Sequence, residues 1–361
     1  MPRSQSNLLL LAKVVTAYVG SVIGAGFASG QEIMQFFILH GCNGLLGVVL
    51  STVLFAYLGG LVMFLSVKMR ATSYKELIIF LLGTKAGKIV DVLNLLMLMG
   101  GLSVMMAGSA AVFGEHFGLP ARAGVWVVIV LTSLVIMGGL NGVLTANVFL
   151  VPLKLLAVVL IALIAIYKAK EAIFLIPQAT PLGGVADSWV CAGFLYVSYN
   201  MVVPVAVLSS LGGSIPLKIG VAGGITGGFL LGLSVSIVTA AGLLYLPEAA
   251  AYEIPLLFLA NKLGLVFHWL LGFLIWLAII TTAIADAHGI ASRLAPHGGV
   301  NYRFFGICAC LLALPFAGCG FSNLVRLLYP LFGYAGLVLL VCLLIIPPIR
   351  FLRNCKKSFI S

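Results

Sequence analysis

Gly20-Ser-Val-Ile-Gly24-Ala-Gly26-Phe-Ala-Ser-Gly30-Gln-Glu32, residues 20–32, is poor lipid-facing helix set inside a long apolar run. Glycine weakens a helix interior by about 1 kcal/mol relative to alanine. Serine, glutamine and glutamate at membrane depth need partners that hydrocarbon does not supply. A helix is expected to break here. A second such place is Tyr196-Val-Ser198-Tyr199-Asn200-Met-Val-Val-Pro204, where polar residues sit mid-run and Pro204 lacks the N–H that would bond back to the Asn200 carbonyl. Close helix packing through Gly20/Gly24 and Gly26/Gly30 accounts for the glycines but not for Ser29, Gln31 and Glu32. Residues 24–30 do not form a GxGxxG loop and no strand precedes them, which argues against a dinucleotide site.

Around these two stretches the chain is apolar almost throughout. Of 361 residues, 62% are hydrophobic and 8% charged, with a mean hydropathy of +1.23. A soluble domain needs far more charge to cover its surface. Runs such as Leu144–Tyr167 and Leu324–Ile346 match the roughly 20 residues needed to cross the bilayer core as helix. They are too long, and lack the alternation, for strands of an outer-membrane barrel. The expected fold is all-α, with ten transmembrane spans at 8–39, 43–68, 88–114, 122–139, 145–167, 188–211, 217–245, 264–290, 302–319 and 324–347. The first is read as a retained span rather than a signal peptide, because Lys13 interrupts its apolar stretch and no cleavage site stands apart.

The two interrupted stretches fall in spans 1 and 6, which open two five-span blocks of equal length, 8–167 and 188–347. An odd number of spans per block reverses the orientation of the second. Interrupted helices at corresponding places in two halves point to an inverted-repeat transporter with a site at mid-membrane. The organisation expected is a first repeat over 1–167, an extracellular linker over 168–187, a second repeat over 188–347 and a basic cytoplasmic tail over 348–361. Residues 72–85 read as an amphipathic helix on the inner surface, and 247–263 as an outer re-entrant helix or lid.

Charge fixes the orientation. With both termini inside, the cytoplasmic flanks carry fourteen of the twenty lysines and arginines, among them Lys68, Arg70, Lys75, Lys218, Arg293, Arg303, Arg350 and Lys357. The outer side receives Arg122, Lys168, Lys170, Lys262 and Arg326, with five acids. The excess of basic residues inside explains the net charge of +11 without a nucleic-acid partner. The seven cysteines are scattered, without zinc-ligand spacing, and read as packing residues. His268 reads as a lone histidine in an apolar helix. No paired carboxylates, metal cluster or nucleophile–base pair at membrane depth suggests an enzyme.

The stretch VGSVIGAGFASGQEIMQFF (19–37), together with the ten-span layout, resembles the YkvI-type bacterial membrane proteins, grouped among amino-acid permeases. More distantly the chain resembles the LeuT-type amino acid–polyamine–organocation superfamily. The resemblance implies a bacterial cytoplasmic-membrane protein with substrate held between broken helices 1 and 6 and helices 3 and 8. It also implies an ion site. Gly20 and Ile23 match positions whose carbonyls bind sodium in sodium-coupled members, and Ala278, Thr281 and Thr282 match the ligand pattern in span 8. Phe27 stands where relatives with a second sodium site have asparagine. VPLKLLAVVL (151–160) resembles a segment of proton-coupled or exchanging permeases, in some of which a lysine, here Lys154, occupies the sodium position. The coupling ion, proton or sodium, is left open.

The residues themselves suggest how a solute would be held. Freed amides over Gly24, Ala25, Gly26, Phe27 and Ala28 suit a carboxylate. Carbonyls over Ser198, Tyr199 and Asn200 suit an ammonium, and Phe27, Tyr196 and Tyr199 suit the wall. A small zwitterion, such as an amino acid, meets both demands. Lys154 lies about 14 Å into span 5, too deep to snorkel. Ser29 and Glu32 form an S-x-x-E pattern, expected as a capping box, with a carboxylate on the outer pathway as the alternative for Glu32. Asp286 is expected as an inner gate or salt-bridge partner. A rival reading is a nutrient receptor that uses the same pocket without transport, since spore-germination receptor subunits resemble this superfamily.

Overall fold

The structure is a computed structural model describing residues 7–71, 74–138, 141–171, 182–295 and 299–358. Residues 172–181, half of the 168–187 linker, and the side chains of Lys75, Lys85, Lys88 and the basic tail, lie outside the described residues. Among the described residues every regular element is a helix: α1 Asn7–Val22, α2 Ala25–Ser29, α3 Gln31–Phe36, α4 Asn43–Met69, α5 Tyr74–Ala111, α6 Ala121–Gly138, α7 Asn141–Lys168, α8 Trp189–Asn200, α9 Val202–Ser210, α10 Leu217–Leu244, α11 Pro255–Leu263, α12 Leu265–Leu294, α13 Gly299–Ala313 and α14 Phe321–Ser358, with short 3-10 or π turns between them.

Among the described residues, seven helices are long and apolar enough to cross a membrane. The pair α8 and α9, bent by 41°, makes an eighth. The other two expected spans are shorter apolar helices, Asn7–Val22 and Ala121–Met137. The first is short because its run ends at Val22, where the glycine-rich stretch begins. Residues 74–82 do form a helix as expected, but it runs on into the span across Gly83, whose φ of 75° and ψ of 174° kink it.

Helices meet where side chains are smallest. Along α10, Gly224 faces the backbone of Gly59, Gly228 that of Phe55 and Ala56, and Gly232 the side chain of Thr52 in α4. In a bilayer, where lipid tails are as apolar as leucine, such close contact is a main source of helix association. Gly223 and Gly227 receive Val14 and Tyr18 of α1. The Tyr18 hydroxyl donates to the Phe55 carbonyl at 2.8 Å and lies 3.2 Å from the Met201 sulfur. Thus α1, α4 and the α8–α9 bend are joined by one side chain.

The expected lid is a 3-10 turn at Glu248–Ala251 followed by α11. Its apolar side, Leu256, Leu257, Leu259 and Ala260, is buried. Polar contacts pin both ends. Glu253 accepts from the Ser322 amide and hydroxyl at the start of α14, while its own amide donates to Glu115 at 2.9 Å. Lys168 donates to the Leu263 carbonyl at 3.3 Å. The Lys262–Glu248 bridge is half-exposed and adds little.

Candidate functional site

The helix of span 1 is interrupted between Val22 and Ala25, and of the amides expected to be free, those of Gly24 and Ala28 are bonded, Ala28 to the Gly24 carbonyl at 3.1 Å. The Gly24 amide turns to the Val22 carbonyl at 2.9 Å instead of the Gly20 carbonyl one turn back. Among the described residues, no backbone hydrogen bond reaches the carbonyls of Gly20, Ser21 and Ile23 or uses the amides of Ala25, Gly26 and Phe27. Such groups need partners in a bilayer. A second irregularity follows at Gly30, in the left-handed region at φ 79°, between α2 and α3. Leu256 of the lid packs there, so a β-carbon on Gly30 would lie 2.7 Å from Leu256 Cγ. Gly30→Ala should therefore lower stability by about 1–2 kcal/mol from the backbone alone, with the lid contact adding to it. A lowered unfolding midpoint of the purified protein is the check.

The break in span 6 sits at Met201, between α8 and α9. The carbonyls of Ser198 and Asn200 receive no backbone hydrogen bond. Pro204 lies in the first turn of α9, where its missing N–H costs nothing to the inner half-helix. The Ser198 carbonyl packs against Gly336 of α14, and its hydroxyl donates to the Gly333 carbonyl at 2.6 Å.

Ser29 and Glu32 depart from the expected capping box. The Ser29 hydroxyl accepts from the Gln31 amide at 3.3 Å and donates to the Gly26 carbonyl at 2.8 Å. Gly30, not Ser29, precedes the helix, so Glu32 falls one residue too early for the reciprocal bond. Its carboxylate instead accepts from the Asn200 side-chain amide at 3.1 Å. This contact joins the two broken spans across 168 residues of sequence. The hydroxyls of Tyr196 and Tyr199 face the same carboxylate without a well-formed hydrogen bond to it.

Phe36 packs on Tyr196 and Tyr199 at 5.4 and 5.6 Å between ring centres, and Tyr199 on Tyr329 of α14 at 5.2 Å. Phe27, Ala25, Ala28, Tyr196 and Ser198 are at most 1% exposed, so the centre is filled by the protein's own side chains. A cavity of about 20 Å³, enough for one water, lies beside it between Asn94 and Met97 of α5, Val202 of α9 and Gly336 of α14.

Lys154 is 2% exposed, and among the described residues nothing pairs with its ammonium. One turn before it, Val151 packs on Gly20, with its Cγ1 3.3 Å from where a β-carbon would stand. Lys154 therefore lies level with the first break. The helix carrying Ala278, Thr281 and Thr282, α12, packs on both α2 and α7. Ala278 and Thr281 are buried and Thr282 half-buried. The Thr281 hydroxyl is turned to the Ala278 carbonyl at 3.1 Å.

Asp286 has no salt-bridge partner among the described residues. It packs on Gly101 of α5, whose β-carbon would lie 2.7 Å from a carboxylate oxygen. His268 is not alone: its Nε2 lies 2.9 Å from Nδ1 of His116, at the end of the neighbouring span. Tyr329, Phe36 and His116 escaped the sequence reading. An acid such as Glu32 inside an apolar run was the signal that polar company would gather, but not from which helix.

No family model matches the chain. The membrane protein YkvI of Bacillus subtilis is 30% identical over 362 residues, covering 99% of this chain and 98% of the relative. The protein YyaD of the same organism is 31% identical over 331 residues, covering 91% and 94%. Among solved structures, the Eremococcus coleocola manganese transporter superposes with a TM-score of 0.60 at 16% identity over 95% of this chain and 81% of its own. Mhp1 in an inward-facing conformation gives 0.56 at 15%, over 88% and 73%. A sodium-coupled sialic acid symporter gives 0.55 at 14%, over 87% and 79%. These likenesses give the fold, and the identity to YkvI gives the family. The chain belongs to the YkvI-type membrane proteins, as a multi-pass protein that shares its fold with these solved transporters.

Proposed function

We propose that this protein is a secondary active transporter for a small zwitterionic solute, an amino acid, working by alternating access in the bacterial cytoplasmic membrane. In this reading the chain makes ten spans as a 5+5 inverted repeat, with both termini cytoplasmic and spans 1 and 6 discontinuous. The observation that carries it is the meeting of the two broken spans, joined by Glu32 and Asn200 with unbonded main-chain groups on either side. Amides of Ala25, Gly26 and Phe27 would take the substrate carboxylate, and carbonyls of Ser198 and Asn200 would face its ammonium. The filled centre corresponds to a closed stage of the cycle.

Proton coupling through Lys154 is the form of the proposal that the surroundings favour. A lysine at this depth costs at least about 2.5–3.5 kcal/mol and needs acceptors, which the carbonyls of Gly20 and Ile23 would supply. Charged, it would bind α7 to the first break; neutral, it would release it. A sodium ion held by Gly20, Ile23, Ala278, Thr281 and Thr282 would compete for the same place. Among the described residues no three His, Cys, Asp or Glu side chains gather, and the manganese named for one structural neighbour is said of that protein alone.

Purified protein should gain thermal stability from particular amino acids by mass action, measured with and without sodium at several pH values. In proteoliposomes the same compounds should show counterflow. Stabilisation without counterflow would make the protein a receptor, and neither would refute an amino-acid site.

A further inference from the structure

Glu32 occupies a setting richer than a link between two helices requires. Its carboxylate is 4% exposed and its hydrogen-bond donor is a neutral amide, Asn200 Nδ2. Among the described residues no lysine, arginine or histidine lies within salt-bridge distance of it. Tyr196 and Tyr199 face it from α8 and Tyr329 from α14. The Tyr196 and Tyr199 hydroxyls are buried beside the carboxylate without a well-formed hydrogen bond among the described residues. Gly26 lets the carboxylate and Tyr329 close up on the remaining side: a β-carbon there would stand 2.6 Å from a Glu32 oxygen and 2.8 Å from the Tyr329 hydroxyl. A buried acid, unpaired hydroxyls and several aromatic faces ask for a compact cation carrying several N–H donors. Nothing in this cage suits a second anion.

We infer that Glu32 is the residue that binds the substrate's ammonium group, inside the tyrosine cage of α8 and α14, and that a proton takes the ammonium's place when substrate is absent. This rests on the transporter reading and deepens it. The exchange balances without any covalent change to the substrate: the Glu32 carboxylic acid loses its proton to water as the ammonium arrives, leaving a carboxylate–ammonium pair. The other titratable groups on packed elements are few. Tyr329 is within electrostatic reach of both Glu32 and Asp286 of α12. His40, on the turn after α3, packs against Gly184, and Lys262 of α11 is engaged with Glu248. Lys218 opens α10.

The test uses full-length purified protein and matched compounds: alanine, ethylamine and propionate; leucine, 3-methylbutylamine and 4-methylpentanoate. The amino acids and amines should raise the unfolding midpoint, and the acids lacking an amino group should not. Glu32→Gln keeps the oxygen that Asn200 uses, yet should weaken amine binding roughly 100-fold. On the acid side of the profile, wild-type affinity should fall about tenfold per pH unit, whereas E32Q should be flat. Calorimetry of the wild type in two buffers of different ionisation enthalpy should report one proton released per amine bound, which needs no variant. Acids binding as well as amines, absence of proton release, or E32Q binding amines at wild-type affinity would each overturn the inference. If alanine or leucine binds while its amino group proves dispensable, this inference alone fails; if no amino acid or amine binds, the transporter reading fails with it.

Discussion

If the protein is the proposed proton-coupled transporter, Lys154→Ala should abolish uptake driven by a pH gradient and spare exchange of substrate across the membrane. The two activities separate because they ask different things of span 5. Exchange needs the site to open to both sides while loaded. Coupled uptake also requires that the unloaded protein sense the proton, and Lys154 is a buried side chain level with the first break, without an ion-pair partner among the described residues. Alanine removes the charge together with the desolvation penalty of a lysine in the membrane, so the variant should fold at least as well as the wild type. Proteoliposomes loaded with substrate measure exchange, and an imposed pH step measures coupled uptake in the same preparation. PH-driven uptake at the wild-type rate in K154A would defeat the assignment, and sodium-driven uptake in its place would move the ion site to Thr281 and Thr282.

The second large effect is on folding. Gly228 of α10 approaches the backbone of Phe55 and Ala56 in α4, which cannot rotate aside as a side chain can. Gly228→Ala should cost about 1–3 kcal/mol as overpacking, and Gly228→Leu should leave no folded, monodisperse protein after extraction in mild detergent. Gly318 is the internal control. A β-carbon there meets nothing within 4 Å, so Gly318→Ala should change stability by no more than about 0.5 kcal/mol. Size-exclusion profiles and unfolding midpoints of the three variants decide it, and a folded G228L would show that the α4–α10 contact is not as tight as its geometry.

The class of fold and both breaks were legible in residues 20–32 and 196–204 because composition alone forbids regular lipid-exposed helix there. Burial of Lys154 was legible for a related reason, since nine residues of apolar helix separate it from the nearer surface. Partnerships across helices were not legible. Glu32 matched a local capping pattern, but a capping box requires Ser29 to be the residue before the helix. The left-handed turn at Gly30 shifts that position by one and sends the carboxylate to Asn200. His268 read as solitary because its partner, His116, is 152 residues away. Tyr329 gave no local signal at all: a tyrosine beside a proline in an apolar run resembles many interfacial tyrosines until α14 is laid against α8. Periodicity and breakers report what one segment can tolerate, whereas the chemistry here is made between segments.

Tyr18 carries one last implication. Its hydroxyl grips the Phe55 carbonyl and touches the Met201 sulfur, so a single phenol on α1 is fastened to the joint between α8 and α9. Two levers pinned at one rivet cannot swing independently: under the proposed alternating access, inward opening must either carry α1 and α9 together or strip the rivet from α4. In the proposed transporter the vestibule on that side would then widen as one shutter, next to the water-sized gap beside Asn94.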